Sequence, residues 1–220
     1  MKAVLKKIIW LIIASPAVYL ALVWNRLPEK VAIHYDLHGK PDQYGSKNEL
    51  VIMSVVLIVM NALTYLLLTN IYRIDPKKYA VENKDRLQSI AFAVSTFLAA
   101  VLFLIIYSGL EGSIEIRMGM IFAGVGLLFA VIGNYMPNMK PNYFAGLRLP
   151  WTLENEDNWR KTHRLAGKLF FAGGLIMAVI CLFTPPIASI VIFFTGTMII
   201  TIIPCVYSYK MYKKQKLSGN

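Results

Sequence analysis

Charge is scarce in this chain. Asp, Glu, Lys and Arg make up 16% of its 220 residues, against about a quarter in soluble domains. Acids are the scarcer kind, 12 against 23 Lys and Arg, which leaves a formal net charge of +11. Cysteine occurs twice, at Cys181 and Cys205, both inside apolar runs, so a disulfide framework and a zinc-ligand spacing are excluded. The two thiols read as inert packing groups. No low-complexity tract, flexible linker or internal repeat divides the sequence, and no nucleophile–base pair or phosphate-binding loop is present. Amphipathic periodicity is missing as well. Leu50 to Met60 is apolar on every face, which argues against a soluble all-α protein.

Long hydrophobic runs fill the chain instead. Hydrophobic residues are 57% of the total and the mean hydropathy is +0.54. Six candidate spans lie at 8–24, 49–72, 88–109, 118–135, 165–184 and 187–208, each near the ~17–25 residues that cross a bilayer. Backbone groups in lipid must bond within their own segment, so runs of this length are expected to be helices. The expected fold class is all-α: one polytopic membrane helix bundle over residues 1–220, with six transmembrane helices, multi-pass in the cell membrane. The first run follows Lys2, Lys6 and Lys7 as a signal peptide would. It is long for one, and Leu22 to Arg26 offers no small-residue cleavage pair, so a retained span is expected.

Orientation follows from the basic residues of the connections. With six spans, the N-terminus, the second loop (Arg73, Lys77, Lys78, Lys84, Arg86), the fourth loop (Lys140, Arg148, Arg160, Lys161, Arg164) and the tail (Lys210, Lys213, Lys214, Lys216) share one side. They hold 17 of the 23 Lys and Arg; the opposite side holds only Arg26, Lys30, Lys40, Lys47 and Arg117. Both termini are therefore expected to be cytoplasmic. Topology and contact with anionic membrane lipid explain the positive charge. Direct nucleic-acid binding is not needed, because the basic residues form no stripe or recognition motif.

The first connection, residues 25–48, is expected to be a structured extracytoplasmic loop. Val31 to Tyr35 alternates enough for a short extended piece, and Gly39, Pro41 and Gly45 impose turns. His34, Asp36, His38 and Asp42 offer imidazole and carboxylate groups of the kind that bind zinc. The spacing is weak support: on a strand, the two imidazoles would stand about 13 Å apart. Solvated or loop-bracing histidines are the other reading. No metal or cofactor is assigned.

Residues 136–164, expected to be a cytoplasmic motif loop leading into the fifth helix, are far more particular than a wettable connection requires. They hold Trp151 and Trp159, two of the four tryptophans, and His163, one of three histidines. Pro150 disfavours helix at Leu149, and Thr152 suits an N-cap, so the fifth helix should begin near Leu153. Glu156 with Arg160 and Asp157 with Lys161 are favourable i,i+4 pairs. Trp159, Arg160 and Arg164 read as an interfacial anchor. Neither role explains Asn142 to Arg148, a compact loop in which Gly146 suits a positive φ and Arg148 could present a bidentate fork. Small residues in the fourth and fifth spans (Gly119, Gly124, Gly126, Gly133, Gly173, Gly174) suit close helix packing.

Gly133-Asn-Tyr135, Asn142-Tyr-Phe-Ala-Gly-Leu-Arg-Leu-Pro-Trp-Thr-Leu153 and Trp159-Arg-Lys-Thr-His-Arg-Leu-Ala-Gly-Lys168 resemble the bacterial SdpI family. Leu27 to Tyr35 and Gly39 to Lys47 resemble the small N-terminal domain often found with it. The resemblance implies a non-enzymatic integral membrane immunity protein that confers resistance to a secreted peptide toxin met on the outer face. It also implies a receptor that sequesters a cytoplasmic transcriptional repressor at the membrane. Asn142, Gly146, Arg148, Pro150, Trp151, Thr152, Trp159, Thr162 and His163 would then form the inner, partner-binding region. Two alternatives stand beside it: a small transporter or a metal-dependent membrane enzyme using the His34/His38 loop, and a structural accessory subunit. Against the transporter, the spans hold charge only at their margins: Glu49 at the first position of the second, and Lys168 only about a turn into the fifth, where it can snorkel to the headgroups.

Overall fold

The computed structural model describes residues 3–77, 79–111 and 118–218. Lys2, Lys78 and Arg117, which enter the charge asymmetry, lie outside those residues. Six helices are long and apolar enough to cross a membrane: α1 (Ala3–Val23), α2 (Lys47–Asn70), α3 (Lys84–Glu111), α4 (Met118–Tyr135), α6 (Glu156–Phe183) and α7 (Pro186–Ser218). The fold is a multi-pass helix bundle, as the hydropathy pattern predicts. A short helix, α5 (Pro150–Glu154), precedes α6, and a hairpin of β1 (Lys30–Tyr35) and β2 (Pro41–Ser46) joins α1 to α2.

The hairpin is the departure from an all-helical chain. Its turn is held by the Asp36 carboxylate, which accepts from the backbone N–H groups of His38 (2.8 Å) and Lys40 (2.9 Å). Those bonds, the Lys40 amide first, hold the Asp36 carboxyl below the usual carboxylate range. Val31 and Ala32 are both buried, and the Tyr35 hydroxyl donates to Ser108 Oγ of α3 at 2.6 Å. Ser46 then caps α2: its hydroxyl accepts from the Glu49 N–H (3.3 Å) and donates to the Glu49 carboxylate (3.2 Å).

The helices form two trios, α1/α2/α3 and α4/α6/α7, joined where α3 meets α4. In the first trio, Leu20, Val23, Leu27, Val31, Leu50, Leu102 and Ile106 make one buried cluster under the hairpin. Asn61 bonds across helices, donating from Nδ2 to the Ser95 carbonyl at 3.0 Å.

In the second trio, α4 and α6 pack almost backbone to backbone. Gly119, Gly126 and Gly133 recur every seven residues on α4 and face Cys181, Gly174 and Gly167 on the antiparallel α6. A Cβ on Gly126 would stand 2.7 Å from the Gly174 carbonyl oxygen, and one on Gly133 would stand 2.8 Å from that of Gly167. Lipid gives no hydrophobic reason for helices to associate, so close approach through small residues must supply the attraction. Gly124 and Gly173 serve other partners, Phe97 on α3 and Ile200 on α7. Pro16 and Pro204 lie inside α1 and α7, both fully buried.

Candidate functional site

The motif segment occupies the end of the bundle opposite the hairpin. Asn142, itself buried, organises its start. The Asn142 Oδ1 accepts from the N–H groups of Phe144 (3.0 Å) and Ala145 (2.7 Å), while Nδ2 donates to the Lys140 carbonyl (2.9 Å). This is the side-chain mimicry of a turn that suits asparagine to loops. Gly146 follows with φ +98°, and a Cβ there would run into the His163 ring. Both backbone conformation and space require glycine. Arg148 turns back and donates from Nη1 to the Tyr143 carbonyl (2.7 Å), so its guanidinium closes the loop while staying exposed.

Thr152 does not cap the long helix. It sits in the first turn of α5, which begins at Pro150 with Leu149 as its cap residue. The Thr152 hydroxyl accepts from the Leu149 N–H (2.9 Å) and lies within donating distance of the Leu147 and Leu149 carbonyls (2.9 and 2.8 Å). The long helix α6 starts at Glu156 instead, capped by Asn155, whose Oδ1 accepts from the Asn158 N–H at 2.9 Å. Two consecutive N-terminal signals, Leu149-Pro150 and Asn155, make two helices. The expected Glu156–Arg160 pair is replaced too. Asp157 takes both cations, Arg160 and Lys161, at 2.7 Å each, because i+3 and i+4 lie side by side on the next turn.

Below this entry is a buried polar cluster linking α5, α6 and α7. Trp151 Nε1 donates to Ser208 Oγ (2.8 Å), Ser208 Oγ donates to Asn158 Oδ1 (2.6 Å), and Thr162 Oγ1 donates to the same oxygen (3.0 Å). Asn158 Nδ2 closes the set on the Ser208 carbonyl (3.1 Å). Asn158, Thr162 and Ser208 are wholly buried. A fully bonded network in a low dielectric specifies one arrangement of the helices that share it. The Trp151 ring is further flanked by Tyr209 and Tyr212 of α7, with centroids at 5.4 and 5.7 Å.

Trp159 is no interfacial anchor. It is 1% exposed, donates from Nε1 to the Met139 carbonyl (2.7 Å) and stacks on His163 with centroids 3.9 Å apart. The loop at 139–149 folds back over the first two turns of α6, and that cover removes the ring from the lipid boundary. His163 Nδ1 lies 2.9 Å from the Trp159 carbonyl, and Nε2 accepts from the Leu147 N–H at 3.1 Å. Since Nε2 must be the acceptor, these contacts assign the proton to Nδ1.

The segment also clasps the α2–α3 connection. Asn83 and Lys140 bond reciprocally: Asn83 Nδ2 donates to the Lys140 carbonyl (3.0 Å) and the Lys140 N–H donates to Asn83 Oδ1 (2.9 Å). Lys77 Nζ donates to the Leu153 carbonyl (2.9 Å) and stands over the Tyr143 ring, while the Tyr143 N–H donates to Asp75 (3.2 Å). Sequence reasoning missed Asn158, Ser208, Asn83 and Asp75. Of these only Asn158 carried a signal, as an amide one turn before Thr162 on the face of α6 that the motif marks.

Of the nine motif residues, Asn142, Thr152, Trp159, Thr162 and His163 are buried, and Trp151 is half-buried. They shape the segment from inside. Exposed on it are Tyr143, Phe144, Gly146, Arg148 and Pro150. Gly146→Ala should therefore loosen the loop, at about 1–3 kcal/mol for a side chain forced to positive φ. Thermal unfolding of the purified chain measures this. A change under about 0.5 kcal/mol, the range of ordinary surface substitutions, would contradict the geometry.

At the hairpin end, His34 and His38 do not converge. His34 Nδ1 meets Asp42 at 2.6 Å and His38 meets Asp36 at 3.5 Å, as two separate exposed pairs. Among the described residues, no group of three or more His, Cys, Asp or Glu is placed to hold a metal ion.

Residues 11–58, which cover most of α1, the hairpin and the first half of α2, match a domain of unknown function, DUF1648. The chain is 28% identical over 199 residues to Immunity protein SdpI of Bacillus subtilis (strain 168), covering 88% of each chain. No solved structure matches it. Residues 138–208, which hold the clasped loop and the buried Trp151–Ser208–Asn158 cluster, match the model of the SdpI/YfhL protein family.

Proposed function

We propose that this chain is a non-enzymatic immunity protein that protects its cell against a secreted peptide toxin. The observation that carries this reading is the likeness to Immunity protein SdpI over nearly the whole of both chains. Both termini and the motif segment face the cytoplasm, in keeping with the 17 Lys and Arg gathered there. Toxin contact falls on the hairpin of residues 25–48 or on the lipid-facing helices, and binding there blocks insertion or assembly of the toxin. The motif end takes a second role as receptor for a cytoplasmic repressor. Tyr143, Phe144 and Arg148 form the surface offered to it, held in shape by Asn142, Gly146, Pro150, Trp151, Thr152, Trp159, Thr162 and His163.

The test is expression of the chain in a toxin-sensitive bacterium challenged with a secreted killing peptide of the kind made by its host. Survival should rise, and unchanged killing by the cognate peptide would remove the proposal. Topology is tested separately with Ala145→Cys. An impermeant thiol reagent should label it in inverted vesicles and not in intact cells. The reverse pattern would turn the motif end outward and end the receptor role alone.

A further inference from the structure

We propose that the groove between α6 and α7 at the motif end holds the phosphate headgroup of an anionic phospholipid. The groove has a volume of 320 Å³ and is lined by Lys161, Arg164, Leu165, Lys168 and Tyr207, three cations with no acid among them. All three cationic side chains are exposed, and they stand at the level where α6 passes from its polar first turns into the apolar run that starts at Leu165.

The charge arrangement calls for an anion. Arg160, Arg164 and Lys168 repeat at i,i+4, a spacing at which like charges destabilise a helix. Asp157 neutralises the upper end by taking Arg160 and Lys161. Among the described residues, no ion pair reaches Arg164 or Lys168. Two cations one turn apart, bordering lipid, with a phenol across the groove on α7, match the chemistry of a phosphodiester. Basic pockets between transmembrane helices on the cytoplasmic side are where acidic headgroups bind.

Acyl chains also have a place to lie. Deeper along the same helix pair is a 380 Å³ apolar cleft lined by Gly173, Ile176, Thr195, Gly196 and Ile199, among others. A second basic cleft, of 610 Å³, borders Arg164 from the other side of α6. There Glu156 and Asp157 offset Arg86, Lys140 and Arg160, which makes it the poorer anion site.

Tyr207 is next to Ser208, and Lys161 is next to Thr162, so the groove lies against the outer side of the buried Trp151–Ser208–Asn158 cluster. A bound headgroup would brace the helix pair that presents the motif segment. The site does not depend on the immunity reading, and its test uses binding alone.

The purified full chain in neutral detergent is titrated with phosphatidylglycerol, phosphatidylcholine or inorganic phosphate, and retention is read by native mass spectrometry alongside thermal unfolding. Phosphatidylglycerol should be retained and raise the unfolding temperature. Arg164→Gln with Lys168→Gln should cut retention by roughly tenfold while leaving the lipid-free unfolding temperature no lower, because it removes like-charge repulsion along α6. Arg164→Lys with Lys168→Arg should keep both. Equal retention by the glutamine variant, or equal retention of phosphatidylcholine, would overturn the site. A full shift from inorganic phosphate alone would assign it to a soluble anion and overturn the lipid.

Discussion

Trp159→Ala should be the most damaging single truncation in the motif segment. Removing a fully buried tryptophan leaves a large cavity, and Phe or Trp to Ala changes in cores cost about 3–5 kcal/mol. Here the ring also stacks on His163 and bonds the Met139 carbonyl. The stacking partner would lose its support, and His163 in turn holds the loop through Leu147. For a chain of this size the unfolding temperature should fall on the order of 10 °C. Trp159→Phe separates packing from bonding. It keeps most of the ring volume and strands the Met139 carbonyl, at about 1–3 kcal/mol. The comparison discriminates sharply, because an interfacial anchor at the same position would tolerate alanine with little loss of fold. Differential scanning fluorimetry of the detergent-solubilised variants measures both. A Trp159→Ala shift no larger than that of an exposed residue such as Tyr143→Ala would overturn the buried placement.

Gly126→Leu should prevent recovery of folded protein. The new side chain would point at α6 where the nearest atoms are the Gly174 carbonyl oxygen (2.7 Å from a Cβ), the Ala178 amide nitrogen (2.9 Å) and the Ala178 Cα (3.2 Å). Backbone cannot rotate aside as a rotamer can, so α4 and α6 must separate. Overpacking in ordinary cores costs about 1–3 kcal/mol and occasionally more; a rigid wall on both sides puts this site at the upper end. Gly124→Ala is the informative contrast. Its Cβ would meet the edge of the Phe97 ring at 2.7 Å, and that ring can move. Size-exclusion chromatography after extraction should give a monodisperse peak for Gly124→Ala and aggregate for Gly126→Leu. A monodisperse Gly126→Leu protein would mean that α4 and α6 are not pressed together as described.

The bundle was legible in the sequence because lipid imposes a single strong rule, that twenty or so apolar residues must be helical. Span centres follow from it directly. Helix ends do not, since a helix need not stop where lipid does. The long helix α6 runs from Glu156, nine residues before its apolar stretch, and α7 continues to Ser218 through Lys210, Lys213, Lys214 and Lys216. Hydropathy registers the hydrocarbon; hydrogen bonding sets the ends.

The motif segment was legible as unusual and illegible in its construction. The positive φ of Gly146 could be anticipated from its residue type alone. Trp159 could not be placed, because a tryptophan beside Arg160 has the same local pattern whether it floats at a headgroup or lies under a folded-back loop. What decides is the Met139 carbonyl, 20 residues away in sequence. Asn158 with Ser208, 50 residues apart, and Asn83 with Lys140, 57 apart, are tertiary pairings with no local periodicity to announce them.

The Asn83–Lys140 pair has a consequence for how the two trios move. It joins the first trio, which carries the DUF1648 match, to the segment that opens the SdpI/YfhL match. Two opposed bonds between the same residues cannot slip by one partner and re-form; a slide of one trio along the other would release both together. Sliding at this junction therefore costs two bonds at once and not one after the other.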